Sequence, residues 1–325
     1  MAELNMVDAI NLALKQEMKR DKNVILLGED VGKEGGVFRV TAGLQKLYGK
    51  DRVYDTPLSE NGIVGTSIGM AVRGLRPVAE IQFSGFVYPA FQQIVSHASR
   101  IRNRSRGRFN CPLVIRMPYS GGIRALEHHS ESMESLFMHI PGLKVVIPSN
   151  PYDAKGLLTS AIRDDDPVIF MEPKRVYRAI KNEVPEDDYT IPIGKAKVVK
   201  EGNNVTIIAY GAMLREAQKA IDAVEKENVS CELIDLRTIK PMDNETIFNS
   251  VKKTGRCVIV HEGPRTGGVG AEIIARINDH MLLELEAPVE RVTGFDTVFP
   301  YFQNENHYLP EEHRIVNAIK KVVEF

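Results

Sequence analysis

Residues 54–88, YDTPLSENGIVGTSIGMAVRGLRPVAEIQFSGFVY, indicate the fold more clearly than any other stretch of the chain. Glu60 stands before a segment that mixes small and apolar residues, with glycines at positions 62, 65, 69 and 74. A glycine inside a helix costs about 1 kcal/mol relative to alanine. We therefore predict a buried helix in which close backbone packing outweighs helix propensity. Residues 77–83 then predict a strand, and residues 84–88 an aromatic turn.

Glu60 is the candidate acid–base group of this stretch. The dipole of the following helix favours the ionised carboxylate, whereas apolar surroundings raise the pKa of such a group. A carboxylate held between these influences can hydrogen-bond to a ring nitrogen or share a proton with it. The alternative is that Glu60 only caps a core helix. The residues alone leave both roles open.

Strands and helices alternate on both sides of this stretch. Strands are predicted at residues 23–27, 52–55, 112–116, 142–148 and 168–171, with helices at 6–18, 41–47, 89–104, 134–139 and 150–163. This alternation is typical of an α/β fold with a doubly wound, mostly parallel sheet covered on both faces. In such folds ligands bind at the carboxyl ends of the strands.

A second α/β unit is predicted after the polar, aperiodic residues 174–194. We place the domains at residues 1–188 and 189–325. Strands are expected at 196–200, 205–209, 231–235, 257–260 and 290–293, and helices at 214–227, 243–252, 270–283 and 311–323. Residues 266–272, TGGVGAE, are similar to part of a dinucleotide-binding motif, but no acidic ribose partner follows. A tight helix-packing turn is the favoured interpretation, and a nucleotide-binding dehydrogenase is the alternative.

Two further polar clusters have several interpretations. His128 and His129 lie in a loop after a strand; no other His or Cys stands at a metal-ligand spacing, so acid–base work and plain loop polarity remain open. Arginines at alternate positions from 100 to 108 form the only basic cluster. Because aromatic residues are not interleaved with them, a solvated helix end or a subunit contact is favoured over nucleic-acid binding.

Composition narrows the class of protein. The chain has 325 residues, a formal net charge of −1, 43% hydrophobic and 26% charged residues, as expected for a soluble globular protein of about two domains. No apolar run approaches the ~20 residues that span a bilayer. Without a signal or transit composition at the N-terminus we expect a cytoplasmic protein, or a mitochondrial matrix protein only if a transit peptide has been removed. Cys111, Cys231 and Cys257 are expected to be reduced core residues.

Together these features resemble the β subunit of the thiamine diphosphate-dependent E1 component of 2-oxo acid dehydrogenase complexes, a transketolase-like family. The resemblance covers nearly the whole chain. It is carried, in order, by TPLSENGIVGTSIGMAVRGLRPVAEIQF, EHHSES, PGLKVVIPSNPYDAKGLL, IDLRTIKPMD and HEGPRTGGVGAEI. It implies a pyrimidine-binding α/β domain followed by a transketolase C-terminal-type α/β domain. The implied reaction is decarboxylation of a 2-oxo acid with acyl transfer to the lipoyl group of E2. Pyruvate is the expected substrate, and branched-chain 2-oxo acids or acetoin are the alternatives.

The resemblance also implies roles for single residues. Glu60 matches the glutamate that bonds N1′ of the aminopyrimidine and favours its imino tautomer, which then takes the proton from C2 of the thiazolium. Phe86 matches the aromatic residue that stacks on the pyrimidine. Gln82 lies beside it, and the backbone of Leu58 is expected to contact the same ring. His129 matches the histidine near the reacting carbon, where it donates protons or guides the lipoyl group.

The Mg²⁺-diphosphate half of the cofactor site is not evident in the sequence. The family motif Gly-Asp-Gly is absent, and Gly28-Glu29-Asp30 is followed by Val31 instead of the required glycine. The resemblance therefore implies that an α subunit brings the Mg²⁺ ligands, in an α₂β₂ heterotetramer with the cofactor at the α/β interface.

Two further sites follow from the resemblance. Some members hold a K⁺ ion through backbone carbonyls, and the matching positions are Leu113, Ala161, Ile162, Asp164 and Asp166. The E2 protein is expected to dock on the second domain. A candidate patch is acidic, or alternatively a solvated helix end, and consists of Glu284, Glu286, Glu290 and the C-terminal carboxylate of Phe325.

Overall fold

Strands and helices alternate along almost the whole chain in the computed structural model, which describes residues 2–325. The strands are β1 Ala2–Leu4, β2 Val24–Gly28, β3 Val53–Asp55, β4 Arg76–Glu80, β5 Val114–Tyr119, β6 Lys144–Val146, β7 Val168–Pro173, β8 Asn182–Val184, β9 Lys197–Lys200, β10 Val205–Ala209, β11 Cys231–Asp235, β12 Thr238–Lys240, β13 Cys257–Val260 and β14 Glu290–Val292. The helices are α1 Met6–Arg20, α2 Leu44–Tyr48, α3 Glu60–Val72, α4 Tyr88–Ser96, α5 Ile101–Arg104, α6 Glu134–His139, α7 Pro151–Arg163, α8 Met213–Val224, α9 Asn244–Thr254, α10 Val269–Met281, α11 Glu305–Tyr308 and α12 Glu312–Val323. None of the helices within residues 2–325 is both long and apolar enough to cross a membrane.

Two mostly parallel sheets organise these elements. The larger has seven strands in the order β12-β6-β7-β5-β4-β2-β3, and only its edge strand β12 is antiparallel to its neighbour. The smaller has five strands in the order β14-β13-β10-β11-β9, and only its edge strand β9 is antiparallel. The predicted α/β class with mostly parallel sheets is confirmed.

Both faces of the larger sheet are covered by helices. Leu26 of β2 packs into the core shared with α1 and α7, whereas the next residue, Leu27, packs into the core shared with α3 and α4. Successive strand residues point to opposite faces, so a strand buried on both sides reads as a continuous apolar run. This explains why β2 is apolar throughout in the sequence. The three cysteines are buried and unpaired by disulfides, as predicted.

Several predicted elements differ from those observed. The strand predicted at 77–83 ends at Glu80, and residues 84–86 form a 3-10 turn. The helix predicted at 89–104 is broken at His97, whose φ of −124° and ψ of −67° are not helical, into α4, a 3-10 turn and α5. The short strands β1, β8 and β12 were not predicted. None of these three lies in an apolar run such as the one that marks β6.

The predicted domain boundary lies in residues 185–196, which join β8 to β9. The sheets do not divide there completely, because β12 follows the boundary yet pairs with β6 in the larger sheet.

The glycine-rich residues 266–272 make room for a buried imidazole. Gly270 N donates a hydrogen bond to His261 Nε2 at 3.2 Å, and a side chain on Gly268 would meet the same ring at 2.7 Å. The turn before α10 therefore serves packing, as the favoured interpretation predicts.

Candidate active site

Polar and aromatic side chains gather at the carboxyl edge of the larger sheet. Asp30 follows β2, Gln82 and Phe86 follow β4, His129 lies in the loop after β5, and Lys174 follows β7. These four strands are direct neighbours in the sheet. Their carboxyl ends therefore lie side by side, which is where α/β proteins bind ligands.

Glu60 is the first residue of α3 and is only 9% exposed. The preceding residue, Ser59, is the N-cap, because its Oγ accepts a hydrogen bond from Gly62 N at 3.2 Å. Capping is therefore done by Ser59. The Glu60 carboxylate is therefore at the positive end of the helix dipole and is not the group that caps the helix.

A second carboxylate, Glu29, lies close to Glu60 at the end of β2. Burial raises the pKa of the Glu29 carboxyl, and the negative charges of Glu60 and Asp30 raise it further. Asp30 in turn accepts a hydrogen bond from Gln82 Nε2 at 3.2 Å. The sequence comparison with the diphosphate motif at residues 28–30 does not identify Glu29 as a site residue. Its position at the end of a buried strand was the available signal.

Phe83, Phe86 and His129 form one aromatic cluster. The His129 ring lies 4.3 Å from the Phe83 ring and 5.1 Å from the Phe86 ring, centroid to centroid, in edge-to-face geometry. The turn that carries Phe86 packs directly on the turn that carries His129, since a side chain on Gly85 would collide with the backbone of His128. Phe86 itself is only half-buried, so part of its ring remains open for stacking.

The helix that begins with Glu60 is tied by its second residue to α4, which follows the Phe86 turn in the chain. Asn61 Nδ2 donates to Pro89 O at 3.1 Å, and Gln93 Nε2 donates to Asn61 Oδ1 at 3.2 Å. The structure thus links Glu60, Gln82, Phe86 and His129 to one edge of the sheet. Leu58, in contrast, is 79% exposed.

His129 is held as a weak base. Burial lowers the pKa of its imidazole, the positive charges of Lys174 and His128 lower it further, and Glu127 opposes them. Its Nδ1 is buried without a hydrogen-bond partner in the part of the chain that the structure describes. The neighbouring His128 is exposed, with Nδ1 3.5 Å from Glu131 Oε2. The two histidines therefore have different environments.

The predicted K⁺ and E2 sites are already engaged in protein contacts. Arg76 Nη1 donates to Ile162 O at 3.0 Å and to Asp164 O at 2.9 Å. On the second domain, each of the three glutamates of the predicted acidic patch has a cationic neighbour; the pairs are Glu284–Lys252, Glu286–Arg256 and Glu290–Lys321. The charges of these three glutamates are therefore balanced. Within residues 2–325, no three His, Cys, Asp or Glu side chains are grouped as metal ligands.

Comparisons with known proteins agree with this architecture. The transketolase pyrimidine-binding domain family matches residues 2–180, and the transketolase C-terminal domain family matches residues 194–315. A solved structure described as "Split gene transketolase, inactive beta4 tetramer" is similar in fold, with a TM-score of 0.82, 22% identity and 99% coverage of both chains.

Curated relatives are similar over the full length. The "Pyruvate dehydrogenase E1 component subunit beta" of Acholeplasma laidlawii is 55% identical over 99% of this chain and 98% of its own. Proteins of the same name from Staphylococcus aureus (strain Mu50 / ATCC 700699) and Bacillus subtilis (strain 168) are 52% and 51% identical over 100% of both chains. The chain belongs to the thiamine diphosphate-dependent family of pyruvate dehydrogenase E1 component β subunits.

Proposed function

We propose that this chain provides the pyrimidine-binding half of a thiamine diphosphate site and acts with an α subunit on pyruvate. The observation that carries the proposal is the placement of Glu60. Its carboxylate is buried at the start of α3 while Ser59 does the capping, and its helix is hydrogen-bonded to α4, which follows the turn of Phe86. A buried carboxylate and a half-open aromatic ring fit an aminopyrimidine, which needs a partner for a ring nitrogen and a surface for stacking.

Each site residue then has a distinct task. When bound, thiamine diphosphate supplies the carbanion chemistry. Glu60 exchanges a proton with N1′ of the aminopyrimidine, and Phe86 orients that ring by stacking. The backbone of Leu58 and the side chain of Gln82 complete the pyrimidine contacts. His129, held neutral, accepts or donates a proton near the reacting carbon or guides the lipoyl group of E2.

The other half of the site is assigned to a partner. The sequence contains no Gly-Asp-Gly motif, so we place Mg²⁺ and the diphosphate on an α subunit in an α₂β₂ heterotetramer. The relatives are named as β subunits, which supports a second kind of subunit. E2 is the proposed acyl acceptor. The three glutamates of the predicted docking patch are paired with cations, so charge attraction by these side chains does not support their use.

K⁺ binding is proposed at carbonyl oxygens, two of which also accept hydrogen bonds from Arg76. A carbonyl oxygen has two lone pairs, so Ile162 O and Asp164 O can accept from Arg76 and still ligate an ion. Ala161, Leu113 and Asp166 would supply the remaining backbone oxygens. A bound K⁺ would add its charge beside the Arg76 guanidinium.

Pyruvate is favoured over branched-chain 2-oxo acids or acetoin because the full-length relatives carry the pyruvate dehydrogenase name. Nucleotide binding at residues 266–272 has no comparable support, since Gly268 and Gly270 are packed against His261.

The test is the Glu60→Gln variant in the complex reconstituted with the α subunit. Turnover of pyruvate should fall on the order of 10²-fold or more, because glutamine cannot exchange a proton with N1′, while assembly stays intact. The matched control is Glu34→Gln, an exposed carboxylate of the loop after β2, which should leave turnover unchanged. Assays with pyruvate and branched-chain 2-oxo acids run in parallel identify the substrate.

Two outcomes would contradict the proposal. Near-normal turnover by Glu60→Gln would return Glu60 to a structural role. Tight, stoichiometric binding of thiamine diphosphate by the isolated chain would rule out a site shared between two subunits.

A further inference from the structure

Lys174 is a buried cation that the proposed reaction does not use. It directly follows β7, is 4% exposed, and its Nζ has no hydrogen-bond partner among residues 2–325. A buried, unpartnered ammonium costs several kcal/mol unless nearby charges or rings offset the loss of hydration. Its surroundings therefore indicate what it does.

The ring of Phe83 is next to both Lys174 and His129. Lys174 Nζ lies 5.9 Å from the Phe83 ring centroid, within the range of a cation–π contact, and the His129 ring lies 4.3 Å from the same centroid. Both residues that contact Phe83 have a buried polar atom without a hydrogen-bond partner in the described residues. These atoms are Lys174 Nζ and His129 Nδ1.

The loop that carries His129 is held in place by the second half of the chain. Glu262 Oε1 accepts from Gly121 N at 3.1 Å, and Glu305 Oε2 accepts from Arg124 N at 2.9 Å. These two buried carboxylates also act on Lys174. Lys174 is thus affected by the charges of the carboxylates that fix the loop, and it contacts the ring that packs on the imidazole of that loop.

We propose that Lys174 is a positioning residue for His129, whose ammonium, held against the ring of Phe83, keeps the imidazole neutral and its Nδ1 available to a ligand. This inference rests on the role proposed above for His129. A neutral imidazole can accept a proton near the reacting carbon, whereas an imidazolium cannot.

The charges around both groups agree with this arrangement. Burial lowers the pKa of Lys174 to about 7, and Glu262 and Glu305 oppose that effect, so the ammonium persists in mildly acidic solution. The charged groups that act on His129 are Lys174, from the end of β7, and its loop neighbours His128 and Glu127. Of these, Lys174 has the largest effect on the pKa of His129 after burial itself.

The experiment measures the protonation of His129 directly in the full-length chain. Diethylpyrocarbonate acylates neutral imidazoles, so its rate at His129, followed by mass spectrometry from pH 5 to 8, reports the titration midpoint. Lys174→Met should raise this midpoint by on the order of half a pH unit, because the neighbouring positive charge is lost. Lys174→Arg should keep the wild-type midpoint. If the methionine variant does not fold, Lys174→Gln replaces it.

A matched control removes a different buried lysine. Lys155 donates to the carbonyls of Pro185 and Asp187, and Lys155→Met should destabilise the fold without moving the His129 midpoint. An unchanged midpoint in folded Lys174→Met, or an equal shift in Lys174→Arg, would overturn the inference. Labelling needs neither cofactor nor turnover, so its result is independent of the Glu60 test.

Discussion

At the residue scale, Arg116 is a deeply buried cation of the larger sheet. It is 1% exposed on β5, where Nε and Nη2 donate to Glu172 at 2.7 and 2.9 Å and Nη1 donates to Glu80 at 2.7 Å. Removing the guanidinium leaves two buried carboxylates facing each other without a cation. We expect Arg116→Met to lower the free energy of unfolding by about 3–5 kcal/mol, measured by denaturant titration.

Arg102→Met provides the matched control for this prediction. Arg102 forms a 2.6 Å pair with Asp166, but the guanidinium is half-exposed and solvent screens the interaction. Its loss should cost less than about 1 kcal/mol. Equal losses for the two variants would show that the Arg116 network contributes no more than a surface pair.

The sequence identifies some of these residues better than others. Glu60, Gln82 and Phe86 lie in one contiguous stretch whose helix, strand and turn are readable from composition, and a motif marks His129. Arg116 and Lys174 carry no comparable signal. Arg116 gains its significance from carboxylates 36 and 56 residues away, and in the sequence it only ends an apolar run. Partners brought together by the fold are not visible in a local pattern.

At the scale of elements, Gly142, in the loop before β6, packs against the 3-10 turn at residues 98–100 that interrupts the predicted helix 89–104. It has a φ of +86°, and a side chain there would collide with the backbone oxygen of Ser99. Gly142→Ala should therefore lower the free energy of unfolding by roughly 2–4 kcal/mol, since strain and collision add. Gly107, with a φ of +78° and nothing within 4 Å, is the control. Gly107→Ala should cost only about 1–2 kcal/mol, and comparable losses in both variants would exclude the close approach as a cause.

The predicted helices differ in how well they agree with the structure. The long helix α1 agrees with its sequence periodicity to within a few residues, because one face is buried along its whole length. The helix α7 is buried on most sides, and its bounds agree with the start and stop residues on either side of it. The helix predicted at 89–104 fails at His97, just before Ser99, whose backbone lies against Gly142. Its sequence remains apolar in a helical pattern through the break. The interruption lies beside a loop some forty residues later in the chain, a contact that a local sequence pattern does not reveal.

At the scale of the whole molecule, the two sheets are joined by a polar layer. Ser149 Oγ donates to Asp235 Oδ1 at 2.9 Å, and Arg237 Nη2 donates to Asp153 Oδ1 at 2.6 Å. Alongside them, β12 extends the larger sheet with residues from the second half of the chain. The sequence predicts two α/β units. It does not predict their connection, because pairing between three-residue strands so far apart has no periodic signature.

Asp235 makes this connection dependent on pH. Burial, reinforced by the negative charge of Asp153, raises the pKa of its carboxyl from the ordinary 3.8 to about 7, against the opposing effects of Arg237 and Ser149. Between these two pH values the folded protein keeps a proton that the unfolded chain has lost. The stability from the protonated carboxyl is therefore complete below about pH 4 and is lost as the pH rises through about 7.

Asp235→Asn should remove this contribution to the pH dependence, because the amide does not titrate. Between pH 5 and 8 the melting temperature of the variant should fall less than that of the wild type, by an amount equivalent to on the order of 2 kcal/mol. Scanning calorimetry at pH 5, 6, 7 and 8 measures the two slopes. Asp222→Asn on the exposed side of α8 is the control and should keep the wild-type slope. If Asp235→Asn also keeps it, Asp235 is ionised in the folded protein at pH 5, and the layer between the sheets contains a buried carboxylate that its neighbours fully stabilise.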